Sequence, residues 1–257
     1  MKFWNRRNKI EFFNSEPSII DSFPIIESKN LKLDWVKKLR EDFQKKSERP
    51  LIVATETHPL RCPGIFDLFK YGYIVRLHKD VSIVQESKDK IGWQFIKRHQ
   101  FQTHNFAELF HIEGVGQEAA NLITKPPWAS NLMMKIDTGW HVVAPKGIKF
   151  IMLPIAYPDT FDFTSAIGIL DSSINSQINF QIFWNHIVDK KETILPAGTP
   201  LGQLIPLTEK KYKMVQRVMD QHDRKWVEKH YSLLNSSFRP HTMRNKMVDM
   251  YNNHWKR

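Results

Sequence analysis

The stretch from Ser165 to Leu207 constrains this chain most. It opens with Ser165-Ala166-Ile167-Gly168-Ile169-Leu170-Asp171, an apolar phrase that ends in a carboxylate. The run Ile178-Asn179-Phe180-Gln181-Ile182-Phe183-Trp184 then alternates apolar and polar positions, the period of a strand with one buried face. Pro196-Ala197-Gly198-Thr199-Pro200 makes a corner that feeds a last apolar segment, Leu201 to Leu207. Three such phrases in close succession build an antiparallel β unit and leave no room for βαβ repeats.

The same reading extends on both sides. Strands are expected at Leu51–Ala54, Tyr73–His78 and Val81–Val84, the last two forming a pair around Lys79-Asp80, with another at Gly92–Lys97. Further strands follow at Leu132–Ile136, Trp140–Ala144, Lys149–Ile155 and Ala166–Leu170, with Asp137-Thr138-Gly139 and Pro145-Lys146-Gly147 as turns. Residues 98–131 read as an excursion with a short helix at Gly116–Ile123. The expected fold is mainly β (α+β), a distorted antiparallel barrel or jelly-roll over residues 51–207.

Helices flank this core. Residues 1–29 read as an extended arm. Asn30 then caps a helix from Leu31 to Lys46, where Leu31, Trp35, Leu39 and Phe43 recur every four residues. After the core, Thr208 caps a helix over residues 209–234, Arg239-Pro240 breaks it, and a last helix spans His241–Asn253. Residues 1–50 thus form an arm with an amphipathic helix, and residues 208–257 a basic helical extension.

The chain has 257 residues and a net charge of +11. The charge is uneven, with 12 Lys/Arg against 8 Asp/Glu in residues 1–50, 14 against 14 in residues 51–204, and 12 against 5 in residues 205–257. The predicted core is therefore neutral and the C-terminal region basic, which suits an anionic partner such as a nucleotide or nucleic acid. Lys210, Lys211, Lys213, Arg217, Arg224 and Lys225 are the phosphate-tracking candidates; the competing reading is a solvated face on a helix that packs on a neighbouring subunit. No apolar run approaches the roughly 18–20 residues of a membrane span. The single Cys62 allows no internal disulfide and points to a reducing compartment, the cytoplasm.

Two resemblances come from these motifs. Cys62-Pro63-Gly64-Ile65, Gly72-Tyr73-Ile74-Val75, Lys135-Ile136-Asp137-Thr138-Gly139-Trp140 and the phrase Pro196 to Gln203 resemble an uncharacterised protein family of tailed phages, cyanophages among them. This likeness spans roughly residues 30–207 and implies a phage or phage-derived origin. Gly168-Ile169-Leu170-Asp171, followed by Ala197-Gly198-Thr199-Pro200-Leu201-Gly202-Gln203-Leu204, resembles the hairpin and following strand of the dUTPase and dCTP deaminase superfamily. It implies a dUTPase-like barrel and, at Asp171, the carboxylate that orders the attacking water. The chain departs from that family where its chemistry lies. Ile174, Ser176 and Gln177 stand where the family has Tyr, Gly and Glu, the Gly-Arg-Ser-Ser phosphate motif is absent from the sequence, and basic helices replace the Gly-rich arm.

Candidate site residues follow. Asp171 is the general-base candidate, against an Asx turn with Ser172 and Ser173. Trp140, Trp184 and Gln203 are ligand-binding candidates, and Trp128, Tyr157 and Phe161 are aromatics near the same region, all competing with a core role. His78 and Asp80 have the spacing of two ligands of a 2-His-1-carboxylate iron site, with His141 or His186 as the third; the competing reading is a surface turn. No cofactor is assigned. The function expected is a phage-type accessory or structural protein that self-assembles, as a homo-oligomer such as a trimer, and binds a ligand or partner. A nucleotide-binding or nucleotide-processing enzyme of the dUTPase-like class is the alternative, and an Fe(II)/2-oxoglutarate oxygenase a distant third.

Overall fold

A computed structural model describes residues 8–47, 58–95, 110–112, 125–186, 191–236 and 240–255. In chain order it contains β1 (Lys9–Asn14), α1 (Pro17–Ser22), β2 (Ile26–Glu27), α2 (Asp34–Ser47), β3 (Tyr73–Arg76), β4 (Val81–Ser87), β5 (Lys90–Phe95) and β6 (Phe110–Ile112). There follow β7 (Ala129–Val143), β8 (Phe150–Leu153), β9 (Phe163–Ser165), β10 (Gly168–Leu170), β11 (Gln177–Asn185), β12 (Lys191–Leu195), β13 (Pro200–Pro206), β14 (Lys213–Val218), α3 (Gln221–Ser236) and α4 (Pro240–His254).

The protein is mainly β, with three sheets that are antiparallel save for one pair. The first sheet has the order β14-β1-β7-β11-β9, with β6 also on β7; the second is β10-β8-β13-β3-β2 and the third β12-β4-β5. Among the described residues none of them closes into a barrel. A single apolar core joins all three. Phe12 of the first sheet meets Tyr73 of the second edge-on, with ring centroids 5.0 Å apart. Gly202 lies so close to the Phe180 ring that a Cβ there would stand 2.2 Å from its Cε1. Val81, Ile83 and Leu195 bring the third sheet into the same core.

β7 carries the architecture. Met134, Ile136, Trp140 and Val142 face the core at alternate positions, as a half-buried strand requires. Asp137-Thr138-Gly139, expected as a turn between two strands, is instead a bulge inside one continuous strand. The register against β11 slips between Gln177 and Asn179. Gly139 takes φ +66, Asp137 Oδ1 accepts from Gly139 N at 2.9 Å, and Thr138 Oγ1 donates to Ile178 O at 2.6 Å. Side-chain bonds thus hold the extra residues while pairing resumes beyond them.

Four further expectations are corrected. The N-terminal arm supplies β1, whose residues Ile10 to Asn14 are buried. Residues 213–218, expected in a helix, form β14, which pairs in parallel with β1 from Lys9↔Lys213 to Asn14↔Val218. β3 and β4 are no hairpin: β3 pairs with β13 and β2, whereas β4 pairs with β12 and β5. The first long helix begins at Asp34 and not after Asn30, because Leu31 is extended (φ −66, ψ 126) behind a single turn at Ser28–Asn30. The expected strand Leu51–Ala54 and helix Gly116–Ile123 lie outside the described residues.

On its outer face the first sheet carries a second, smaller core. Phe13, next to the inward Phe12, packs with Val143, Trp226, Tyr251 and Trp255, so α3 and α4 lie across β1 and β7. Tyr251 OH donates to Ala144 O at 2.9 Å. At the rim Arg217 bridges two buried acids, its Nε donating to Glu11 at 3.1 Å and its guanidinium to both oxygens of Asp223. Burial opposes the charge on Arg217, but the bonds and charges of Asp223 and Glu11 outweigh it and raise its pKa. Among the described residues no helix is long and apolar enough to cross a membrane.

Candidate binding cleft

A cleft of about 930 Å³ opens where β9 and the β12–β13 corner face the loop that follows β8. Trp128, Phe161 and Ile194 offer apolar surface on its walls, and all three are exposed, Phe161 at 70%. Large apolar groups left in water beside a concave surface mark a site that takes another molecule.

Each wall is held by identifiable bonds. The 154–162 loop is pinned to the start of α2: Trp35 Nε1 donates to Tyr157 O at 2.7 Å, and Asp34 N donates to both Asp159 oxygens at 3.1 Å. Tyr157 sits at φ +50, an unusual backbone state for a bulky residue, with its ring edge-on to Trp35. Asn185 Nδ2 donates to Phe161 O at 2.8 Å, and His186 N to Trp128 O at 2.9 Å. The corner is fixed from below, with Ala197 N donating to Asp80 Oδ1 at 2.7 Å and Gly198 N to Leu77 O at 2.6 Å. Gly198 at φ +93 permits that turn.

Three charged side chains line the cleft, Lys32, Asp159 and Asp162. Lys191 Nζ stands 3.7 Å from Asp162 Oδ1. Thr199 Oγ1 donates to Pro196 O at 2.6 Å. The polar groups therefore serve mainly to hold the walls, and no nucleophile–base pair is assembled among them.

The sequence-selected residues scatter relative to this cleft. Trp128 and Phe161 line it. Trp184 is buried and stacks on Phe163, one of the wall residues, with centroids 6.2 Å apart. Trp140 is fully buried in the main core. Gln203 is also buried and spends its amide on the 68–71 segment, donating to Leu68 O at 2.9 Å and Tyr71 O at 2.6 Å. Asp171 lies elsewhere. Its Oδ1 accepts from Ser173 N at 3.1 Å and from Ser173 Oγ, with Lys149 Nζ 3.7 Å from Oδ2. That is the Asx-turn geometry.

The histidines do not converge. His78 is buried after β3, and burial, aided by the nearby Lys79, lowers its pKa to about 4. Asp80 turns to the backbone of Ala197, and His141 stacks on Phe13 on the far face of the first sheet, 5.3 Å between centroids. Among the described residues no three His, Cys, Asp or Glu side chains come together as a metal site. Of the basic candidates, Arg217 is committed inward to Glu11 and Asp223. Lys210, Lys211 and Lys213 are exposed in and before β14, and Arg224 and Lys225 on α3.

Lys32, Asp159, Asp162, Asn185 and Ile194 escaped the sequence reading. Asp159 and Asp162 share the loop after β8, whereas Lys32, Asn185 and Ile194 come from three other segments, and nothing short of the fold brings them together. No protein-family model matches the chain, and no curated protein matches it.

Proposed function

We propose that this chain is a non-enzymatic accessory or structural protein of phage type, built on a dUTPase-like β core, which self-assembles and binds a ligand or partner through the cleft. The observation that carries this reading is the character of the cleft: exposed Trp128, Phe161 and Ile194 around polar groups already engaged in holding its walls. Such a surface recognises and does not react. The Ala197–Leu201 phrase, the part of the chain most like the superfamily strand, lines this cleft and not a phosphate site.

A second reading, a nucleotide-processing enzyme with Asp171 as general base, draws on Lys149 beside that carboxylate. One panel separates the two. Purified protein is melted with deoxynucleotides and Mg²⁺ and with short DNA, and its mass is followed by light scattering. A ligand at 100 times its dissociation constant adds about 2.7 kcal/mol and is plainly visible as a melting shift. The expected result is no shift with nucleotides and a mass above that of one chain. A shift with one nucleotide that vanishes in Asp171→Asn would overturn the proposal in favour of the enzyme.

A further inference from the structure

Trp128 and Phe161 flank the end of β11. His186 N donates to Trp128 O at 2.9 Å, and on the opposite side Asn185 N donates to Asp162 O at 2.8 Å. The two aromatic residues therefore ride on backbones two strand spacings apart, about 10 Å, with Asn185 between them. Both rings line the cleft, Trp128 at 41% and Phe161 at 70% exposure. Asn185 also lines it, and because its Nδ2 donates to Phe161 O, the amide offers a ligand its acceptor, Oδ1.

The charge in the cleft is settled internally. Both Asp159 oxygens accept from Asp34 N, Lys191 Nζ stands 3.7 Å from Asp162 Oδ1, and Lys32 is a further cation on the wall. Two acids matched by two lysines make no field that draws a cation or an anion. The occupant is neutral. A compact apolar molecule fits poorly, since such ligands have most of their surface enclosed, whereas Phe161 stands open to water. A peptide added as a strand fits no better, because β9 is paired with β11 and Ser165 is buried with its hydroxyl on Leu201 O.

Two open aromatic planes beside hydrogen-bonding groups suit an uncharged chain with apolar flat faces and a polar rim. A neutral oligosaccharide has that chemistry. The C–H face of a pyranose lies on the negative face of an aromatic ring, while its hydroxyls project sideways. Successive pyranoses advance by roughly one strand spacing, so the backbones of Trp128 and Phe161 are spaced for the first and third of three consecutive rings. The volume of about 930 Å³, near the top of the roughly 300–1,000 Å³ range of ligand pockets, has room for them.

Resting on the reading of the cleft as a recognition site, we propose that it binds a neutral oligosaccharide of at least about three pyranose rings. Trp128 and Phe161 carry the apolar faces of the sugar. Hydroxyls donate to Asn185 Oδ1 and to the Asp162 carboxylate, which keeps acceptor capacity beside Lys191 because an ionised carboxylate has about four lone-pair sites. Lys32 Nζ donates to a sugar oxygen.

The test applies the full chain to an array of neutral, sialylated and sulfated glycans, from monosaccharides to hexasaccharides, and to a set of proline-rich peptides, at low and high salt. Each binder is then titrated by calorimetry onto the native chain, Trp128→Ala and Phe161→Ala, with circular dichroism to verify folding. Both side chains are exposed, so neither substitution empties the core. The expected result is a neutral glycan bound equally at low and high salt, with trisaccharides and longer chains ahead of disaccharides. Each variant is expected to weaken it about tenfold or more, the scale of losing an aromatic anchor. Binding confined to sulfated or sialylated glycans and lost at high salt would overturn the proposal and point to the basic C-terminal region. A proline-rich peptide that binds where no neutral glycan does, and less well to Phe161→Ala, would sink the sugar but keep the cleft as a recognition site. Neutral binding that neither variant weakens would place the sugar elsewhere and refute this site. A silent array refutes it as well, and if light scattering then finds the same mass for the native chain and Phe161→Ala, the recognition reading falls with it.

Discussion

His78 shows how one side chain couples this fold to pH. It follows the buried strand β3 and is itself buried, so the folded protein holds it neutral down to about pH 4, against an ordinary value of 6.5. A base whose folded pKa is depressed supports stability fully above its unfolded pKa. The unfolded chain takes up a proton near pH 6.5 that the folded chain refuses, so that support is lost between about pH 6.5 and 4 and is constant below. The span is worth roughly 3 kcal/mol. Urea titrations at pH 7.5 and 4.5 measure it, and His78→Gln is expected to remove most of the difference between them. Arg217 makes the opposite point. By sequence it belonged to a run of cations fit for phosphate, yet it sits between two buried carboxylates and over the ring of Phe13, where its charge is consumed internally.

Among the elements, close approach of the two main sheets depends on a missing side chain. Gly202 of β13 faces Phe180 of β11, with the main-chain oxygen of Leu153 on its other side, 2.9 Å from where a Cβ would stand. Gly202→Ala is expected to destabilise by about 3 kcal/mol, the upper end of ordinary overpacking, because backbone bounds one side and cannot yield. Thermal unfolding of the variant measures this, and Phe180→Leu in the same chain is expected to recover part of the loss. Elements were legible in the sequence where alternation was clean, as in β11, or where a Pro/Gly corner framed an apolar run, as in β13. The alternating run Ile178–Trp184 is found within β11, Gln177–Asn185, and the segment expected at Leu201–Leu207 is found as β13 at Pro200–Pro206. The failures have a common cause. Lys213-Met214-Val215-Gln216-Arg217-Val218 is only half-buried, so its apolar positions suit a helix face as well as a strand; its state is decided by the distant β1. Asp137-Thr138-Gly139 has turn chemistry, which a bulge also uses. The site was less legible than the fold. Trp128 and Phe161 were among the aromatics singled out, but the carboxylates of Asp159 and Asp162 had no local pattern to distinguish them.

On the scale of the whole molecule, the C-terminal helices are part of the packing and not an appendage. Trp226 is fully buried among Phe13, Val143, Tyr251 and Trp255, and Trp226 and Tyr251 meet edge-on at 5.5 Å. Trp226→Ala is expected to cost about 3–5 kcal/mol, the range for emptying a large aromatic site. Because this core is separate from the one between the sheets, the loss is expected to loosen α3 and α4 first. Limited proteolysis would then cut within residues 220–255 while residues 125–186 stay protected; uniform digestion of the whole chain would show instead that the two cores melt as one.

The parallel pairing of β1 with β14 has a consequence for how the protein comes into being. A strand from the beginning of the chain, buried along almost its whole length, finds one of its two neighbours only after roughly 200 further residues have emerged, and closing so long a loop carries a large entropic cost. During synthesis the Ile10–Phe13 segment must wait with its apolar groups uncovered, a state prone to wrong encounters. The housing of β1 therefore waits for β14: residues 213–218 must have left the ribosome before Ile10–Phe13 are covered along both edges.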